Sequence, residues 1–159
     1  MTTLQKIIYF LDSIFYKMAF FGIGIENFKT DQNIGTLWRS ASIMKASFIF
    51  TIGKQYKIQA TDTAITWKHI PLYNYENFEA FYKALPYDCQ LVGVEMDEKS
   101  VPIADFVHPP RCVYLLGSED NGLSKTAFEK CHKLVQLPGE HCMNVAVAGS
   151  IIMYDRSTK

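Results

Sequence analysis

Apolar and polar positions follow one another along the chain in two rhythms. Phe20–Ile25, Ser47–Ile52, Gln90–Glu95, Val113–Leu116 and Leu134–Leu137 are short apolar runs bounded by turn residues, and they read as buried strands. Segments of helical spacing lie between them. In Asn33–Ala46, residues Ile34, Leu37, Trp38, Ala41 and Met44 fall near one face; Asp31 or Asn33 offers a cap, and Arg39 lies off the apolar face. Tyr75–Ala84 and Thr126–Cys131 read as shorter helices. Met143–Tyr154 reads as a helix that is apolar on nearly all sides, which predicts burial, in part against a second subunit. Residues 53–70 are polar and irregular. Strands alternating with helices predict an α/β domain, a mostly parallel sheet with helices on both faces.

The N-terminus departs from this alternation. Ile7–Leu11 and Ile14–Tyr16 are apolar, but Asp12 and Lys17 interrupt them. A membrane span needs about 20 apolar residues, and no small-residue cleavage site follows, so neither a membrane segment nor a signal peptide is expected. We expect residues 1–17 to be an N-terminal extension, with Met1 or Met18 as the start, and residues 18–159 to be a single domain. The composition, 48% hydrophobic and 20% charged over 159 residues, is that of one globular domain and argues against disorder. The formal net charge is zero, so an RNA partner has to be read from local clusters. Cys89, Cys112, Cys131 and Cys142 form no CxxC pair and no metal spacing. Reduced thiols in a cytoplasmic protein without a metal are therefore expected.

Three segments carry candidate chemistry. In Asn33-Ile34-Gly35-Thr36-Leu37-Trp38-Arg39-Ser40-Ala41, a polar cap, a glycine and an arginine could present N–H groups and a guanidinium to an anion; taken alone, the segment is more simply a capped amphipathic helix with a solvated Arg39. In Leu115-Leu116-Gly117-Ser118-Glu119-Asp120-Asn121-Gly122-Leu123-Ser124, two glycines bracket an acidic turn after a buried strand. Gly117 permits close approach to a ligand and Gly122 a positive φ. It is neither GxGxxG nor a phosphate loop, and its carboxylates suit a cationic or hydroxyl-bearing ligand; an ordinary strand-to-helix turn is the other reading. In Leu137-Pro138-Gly139-Glu140-His141-Cys142-Met143-Asn144-Val145-Ala146-Val147-Ala148-Gly149, a polar turn joins a strand to a buried helix, a usual cofactor position in α/β proteins. Basic and aromatic residues interleave at Lys54, Tyr56, Lys57, Trp67, Lys68 and His69, a composition that suits looped RNA or a solvated loop with one buried tryptophan.

In this order and spacing the three segments resemble the motifs of the SpoU/TrmH branch of the SPOUT RNA methyltransferases. Asn33–Ala41 matches N-x-G-x-x-x-R-[ST]-A. Leu116–Leu123 matches L-G-[SA]-E-x-x-G-L. Leu137-Pro138, followed by Cys142-Met143-Asn144 and a Val/Ala-rich helix, matches the third motif. Cys142 stands where the family has serine, and the loop from Pro138 to Cys142 is short. The resemblance covers about residues 20–155 and implies a deep C-terminal trefoil knot. It also implies S-adenosylmethionine held mainly by backbone near Val94, Glu95, Leu116, Gly117, Leu137, Cys142 and Met143, with Glu119 shaping the pocket. It further implies a homodimer whose active site is completed across the interface, and methyl transfer to a ribose 2′-hydroxyl of RNA. Small members suggest a transfer RNA by analogy. The resemblance gives Arg39 the central catalytic role, as a base aided by an RNA phosphate or as stabiliser of the developing alkoxide. Asn33, Asn144 and Cys142 would position groups around it, and Arg39, Lys54, Lys57, Lys68 and His69 would contact RNA. Two other classes compete: a non-catalytic RNA-binding protein retaining the knotted fold, and a cysteine hydrolase using Cys142 with His141 or His132. The absence of GxGxxG disfavours a nicotinamide oxidoreductase.

Overall fold

The computed structural model describes residues 2–8, 10, 19–57 and 65–159. Of the expected N-terminal extension, residues 3–8 are helical, and Leu4, Ile7 and Ile8 are exposed there. Residues 1, 9 and 11–17 of it, with Met18, and residues 58–64 of the polar stretch lie outside the described residues.

Seven strands form one sheet: β1 (Phe20–Glu26), β2 (Phe48–Ile52), β3 (Leu72–Tyr75), β4 (Gln90–Val94), β5 (Val101–Pro102), β6 (Arg111–Leu116) and β7 (Lys133–Gln136). Their order is β3-β2-β1-β6-β4-β7-β5, and every pairing is parallel. Four α-helices cover the sheet: α1 (Asp31–Ile43), α2 (Phe78–Lys83), α3 (Lys125–Lys130) and α4 (Val145–Thr158). Successive strand residues point to opposite faces, so the apolar runs feed two cores. Ile23, Ile25, Val92, Tyr114 and Leu116 pack with Leu37 and Trp38 of α1 and Ile152 and Met153 of α4. Phe50, Leu91, Val113 and Leu115 pack with Phe78 and Phe81 of α2 and Ala127 of α3. Burying each such side chain contributes about 1.5–3 kcal/mol, which is why double-sided burial sets the strand positions.

Several expected boundaries shift. Tyr75 belongs to β3, not to a helix; α2 begins after Asn77, whose side chain accepts a hydrogen bond from the Ala80 N–H at 2.9 Å. α1 starts at Asp31, and neither Asp31 nor Asn33 caps it: the N-cap position is Thr30, with no side-chain cap bond. Asn33 is used elsewhere, as described below. α4 starts two residues later than expected because Asn144 is its N-cap, accepting from the N–H groups of Ala146 at 2.9 Å and Val147 at 3.4 Å.

β6 inserts between β1 and β4, and the chain then crosses beyond β4 to form β7. It returns to lay α4 against α1. Gly149 makes that contact possible: a Cβ there would sit 2.3 Å from Leu37 Cδ1. The Ser150 hydroxyl donates to Ser40 Oγ at 2.8 Å across the same seam. The C-terminal ends of β4, β6 and β7 and the N-terminus of α4 thereby converge at one place.

Candidate functional site

A pocket of about 570 Å³, counting the solvent at its mouth, opens at this convergence. Ligands of open α/β sheets bind at such strand ends. All eight residues expected around a cofactor line it: Val94 and Glu95 after β4, Leu116, Gly117 and Glu119 after β6, Leu137 after β7, and Cys142 and Met143 before α4. The inner wall is apolar backbone and side chain; carboxylates stand at the rim. Met96, Pro138 and His141 also line it. Met96 escaped the sequence reading, although it adjoins Glu95; Pro138 stands there as part of the third motif and His141 as a hydrolase partner of Cys142.

The glycines of the second motif close the loop tightly. Ser118 and Gly122 exchange backbone hydrogen bonds of 3.0 and 2.9 Å, and Gly122 takes φ 65°. A Cβ on Gly117 would lie 2.0 Å from the Gly122 carbonyl carbon. Glu95 ties this loop to β4, accepting from the Leu123 N–H at 2.8 Å and the Met96 N–H at 3.1 Å. From the far side, buried Glu26 accepts from the Ser124 N–H at 2.9 Å and the Ser124 hydroxyl at 2.7 Å. Glu26 went unnoticed in the sequence because a carboxylate at a strand end looks like a solvated boundary.

The three motifs meet in one hydrogen-bond chain. The Asn144 carbonyl oxygen is taken by α4 N–H groups, so its amide donates, to Asn33 Oδ1 at 3.0 Å. The Asn33 amide must then donate, and it does so to Glu119 Oε1 at 2.9 Å and to Thr30 Oγ1 at 2.9 Å. Glu119 also accepts from the Thr30 hydroxyl at 3.1 Å and the Lys29 N–H at 2.8 Å. Burial alone would raise the Glu119 carboxyl. The hydrogen bonds from Asn33, from the backbone N–H groups of Lys29 and of Glu119 itself, and from Thr30 outweigh it and hold the group below the usual carboxylate range. The pocket therefore presents ionised carboxylate at its rim.

Arg39 is exposed on α1 and does not line the pocket. Among the described residues it has no hydrogen-bond or ion-pair partner. Ile43, one turn further along α1, is 66% exposed, and Val147 and Tyr154 of α4, which packs on α1, are 50% and 59% exposed. The expected RNA contacts divide into two groups. Lys54 Nζ lies 4.7 Å from the Phe28 ring centroid and donates to the Lys29 carbonyl, while the Lys57 N–H donates to Asp31. Both stand near the start of α1, where Lys29 pairs with Asp120 at 2.8 Å. Lys68 and His69 are exposed beyond residues 58–64, with Lys68 Nζ 5.4 Å from the Trp67 ring centroid. Tyr56 is not a free stacking surface: its ring meets Trp38 edge-on and packs on the core.

The thiols separate clearly. Burial pushes Cys89 and Cys131 up to about 12 and also raises Cys112, whereas Cys142 is exposed in the pocket. His132 accepts from the Leu91 N–H at 2.9 Å and stacks on Tyr82, so it cannot serve Cys142. His141 and Cys142 share the pocket without a mutual hydrogen bond. Among the described residues no cluster of His, Cys, Asp or Glu is arranged for a metal, and no helix is long and apolar enough to cross a membrane.

Comparison with known proteins assigns the family. The model of the SpoU rRNA Methylase family matches residues 21–154, and the chain belongs to that family. It is 25% identical over 141 residues to an uncharacterized tRNA/rRNA methyltransferase of Archaeoglobus fulgidus. It is 27% identical over 123 residues to the 23S rRNA (guanosine-2′-O-)-methyltransferase RlmB of Acinetobacter baylyi. These matches take in 84% and 74% of the chain but only 62% and 44% of the relatives' own lengths. Among solved structures, the SpoU methyltransferase AviRb of Streptomyces viridochromogenes in complex with AdoMet aligns with TM-score 0.75 and 22% identity, over 89% of this chain and 62% of that one. An AdoMet-bound rRNA methyltransferase of Sinorhizobium meliloti aligns with TM-score 0.78 and 21% identity, over 87% and 56%. The A. aeolicus TrmH/SpoU tRNA modifying enzyme aligns with TM-score 0.78 and 19% identity, over 93% and 81%. The all-parallel α/β fold is thus that of SpoU methyltransferases, whose class carries the C-terminal knot.

Proposed function

We propose that this SpoU-family chain transfers the methyl group of S-adenosylmethionine to a ribose 2′-hydroxyl of RNA, and that its finer substrate is a transfer RNA. The observation that carries the reading is the convergence of all eight expected cofactor residues on one pocket at the ends of β4, β6 and β7. The residues fit such a cofactor. The inner wall of Leu116, Leu137, Val145 and Ala148 suits a purine ring, Gly117 lets the loop after β6 close on its own Gly122–Leu123 backbone, and ionised Glu119 and the Glu95 carboxylate suit a cationic ligand. When bound, this cofactor supplies an activated methyl on a sulfonium. The protein's task is alignment of the ribose oxygen and management of its proton.

Asn33, Asn144 and Glu119 hold the three motif segments in register. Arg39 carries the chemistry at the ribose. Guanidinium groups stay charged in proteins, which favours stabilisation of a developing alkoxide over general-base action. Because Arg39 lies outside the pocket lining, and the packed pair α1 and α4 exposes Ile43, Val147 and Tyr154, the reading includes a homodimer through α1 and α4, in which a second copy brings its arginine to this pocket. Lys54 and Lys57 hold the RNA backbone near the start of α1, with Lys68 and His69 further out.

The test separates binding from transfer. Calorimetry with S-adenosylhomocysteine should give near wild-type affinity for Arg39→Ala, while its methyl transfer falls by at least a hundredfold. Transfer near the wild-type rate would refute the role of Arg39. Absence of cofactor binding in the wild-type protein would favour a non-catalytic RNA-binding protein with the same fold.

A further inference from the structure

The pocket's charges are unbalanced in a way that bears on how it holds an amino-acid tail. Among its lining residues are two carboxylates, Glu95 and Glu119, and no lysine or arginine. Both carboxylates are committed to loop closure, Glu95 to the N–H groups of Leu123 and Met96 and Glu119 to Asn33, Thr30 and the Lys29 N–H. A ligand that carries its own carboxylate would meet repulsion at this rim unless a donor faced it. The Ser118 hydroxyl accepts from the Asn121 N–H at 3.3 Å within the acidic turn, which leaves one side-chain nitrogen donor in the lining. His141 is exposed, lines the pocket, and has no internal hydrogen bond or ion pair among the described residues. The short Pro138–Cys142 loop puts it there: Gly139, at φ 149°, turns the chain so that His141 follows only two residues later.

Resting on the cofactor reading above, we propose that His141 is a specificity-determining residue, whose ring N–H donates to the α-carboxylate of the cofactor's amino-acid tail. The imidazole has an N–H in either protonation state, so the contact does not depend on its charge. It selects adenosyl ligands with an intact amino-acid tail over truncated ones, because the truncated ligand leaves the donor without a charged acceptor.

The probes are S-adenosylhomocysteine and 5′-methylthioadenosine, which share the adenosine and thioether and differ in the tail. Calorimetry on the full chain should show His141→Ala weakening S-adenosylhomocysteine about tenfold or more while leaving 5′-methylthioadenosine unchanged, as expected for loss of a hydrogen bond to a charged group. His141→Gln, which keeps an N–H donor, should restore most of the difference. Equal weakening of both ligands would assign His141 to loop packing and overturn the proposal, as would no change in either. A wild-type protein that binds neither compound would sink the cofactor reading and this inference with it.

Discussion

Asn33→Asp is the sharpest perturbation of the seam that joins the three motifs. The substitution keeps the shape of the side chain but turns its donor into a carboxylate oxygen. The Asn33 amide nitrogen lies 2.9 Å from Glu119 Oε1, and Glu119 is held ionised by its other donors. Two unit charges at that separation repel by about 6 kcal/mol at an effective dielectric of roughly 20. Solvent reaches this half-buried pair, and one of the two carboxyls can take up a proton, so the net destabilisation at neutral pH should be about 2–3 kcal/mol. The sign of the pH dependence follows. In the folded variant the pair shares a proton and its upper pKa rises above the unfolded value, so the folded state binds more protons than the unfolded state. The deficit against wild type should therefore be full at neutral pH and shrink as pH falls toward the ordinary carboxylate range. Urea denaturation at a series of pH values measures it, with Asn33→Ala as the variant that loses the bonds without adding charge. If the aspartate variant is as stable as the alanine variant at neutral pH, and gains nothing on acidification, the Asn33 amide does not face Glu119 and the seam is wrong.

Other consequences are equally direct. Gly117→Ala should abolish cofactor binding and destabilise the protein by about 1–3 kcal/mol, because its methyl would meet the Gly122–Leu123 backbone at 2.0–2.2 Å; calorimetry and denaturation read both. His108 is bonded to Tyr114 at 2.6 Å and Asp155 at 2.8 Å, and burial lowers its pKa from 6.5 despite Asp155, with Arg156 and Lys159 adding to the shift. The neutral form is thus favoured by folding, so this contribution to stability is present above 6.5 and declines as pH falls from there through the lower folded value; thermal melts across that window should show it, and His108→Gln should flatten it. Cys142→Ser should retain or raise methyl transfer, and a total loss would show that the thiol has a role of its own.

What was legible in the sequence was whatever burial imposes locally. β1, β2, β4, β6 and β7 announce themselves as apolar runs because both of their faces are covered. β3 and β5 were missed. They are the edge strands, and β3 carries Asn74, whose side chain accepts from the Thr51 hydroxyl, in place of an apolar residue. The pocket lining was legible through the family resemblance, which names the ends of β4, β6 and β7 and the start of α4. Asn33 was misjudged as a cap because its partner, Glu119, is 86 residues away, and no local pattern encodes that contact. Tyr56 was misjudged for the same reason: its edge-on contact with Trp38 is a tertiary contact. Arg39 stands outside the pocket lining, and the proposed second copy that would bring an arginine there is not written in a single chain's pattern.

The central claim is that this chain methylates ribose in RNA. The direct measurement is incubation with S-adenosylmethionine carrying an isotopically labelled methyl and with transfer and ribosomal RNA in parallel, followed by digestion and mass spectrometry of nucleosides. The account predicts labelled 2′-O-methylnucleosides from the transfer RNA, lost with Arg39→Ala while S-adenosylhomocysteine still binds. Label confined to bases, or no label in any RNA from a wild-type protein that binds the cofactor, would contradict it.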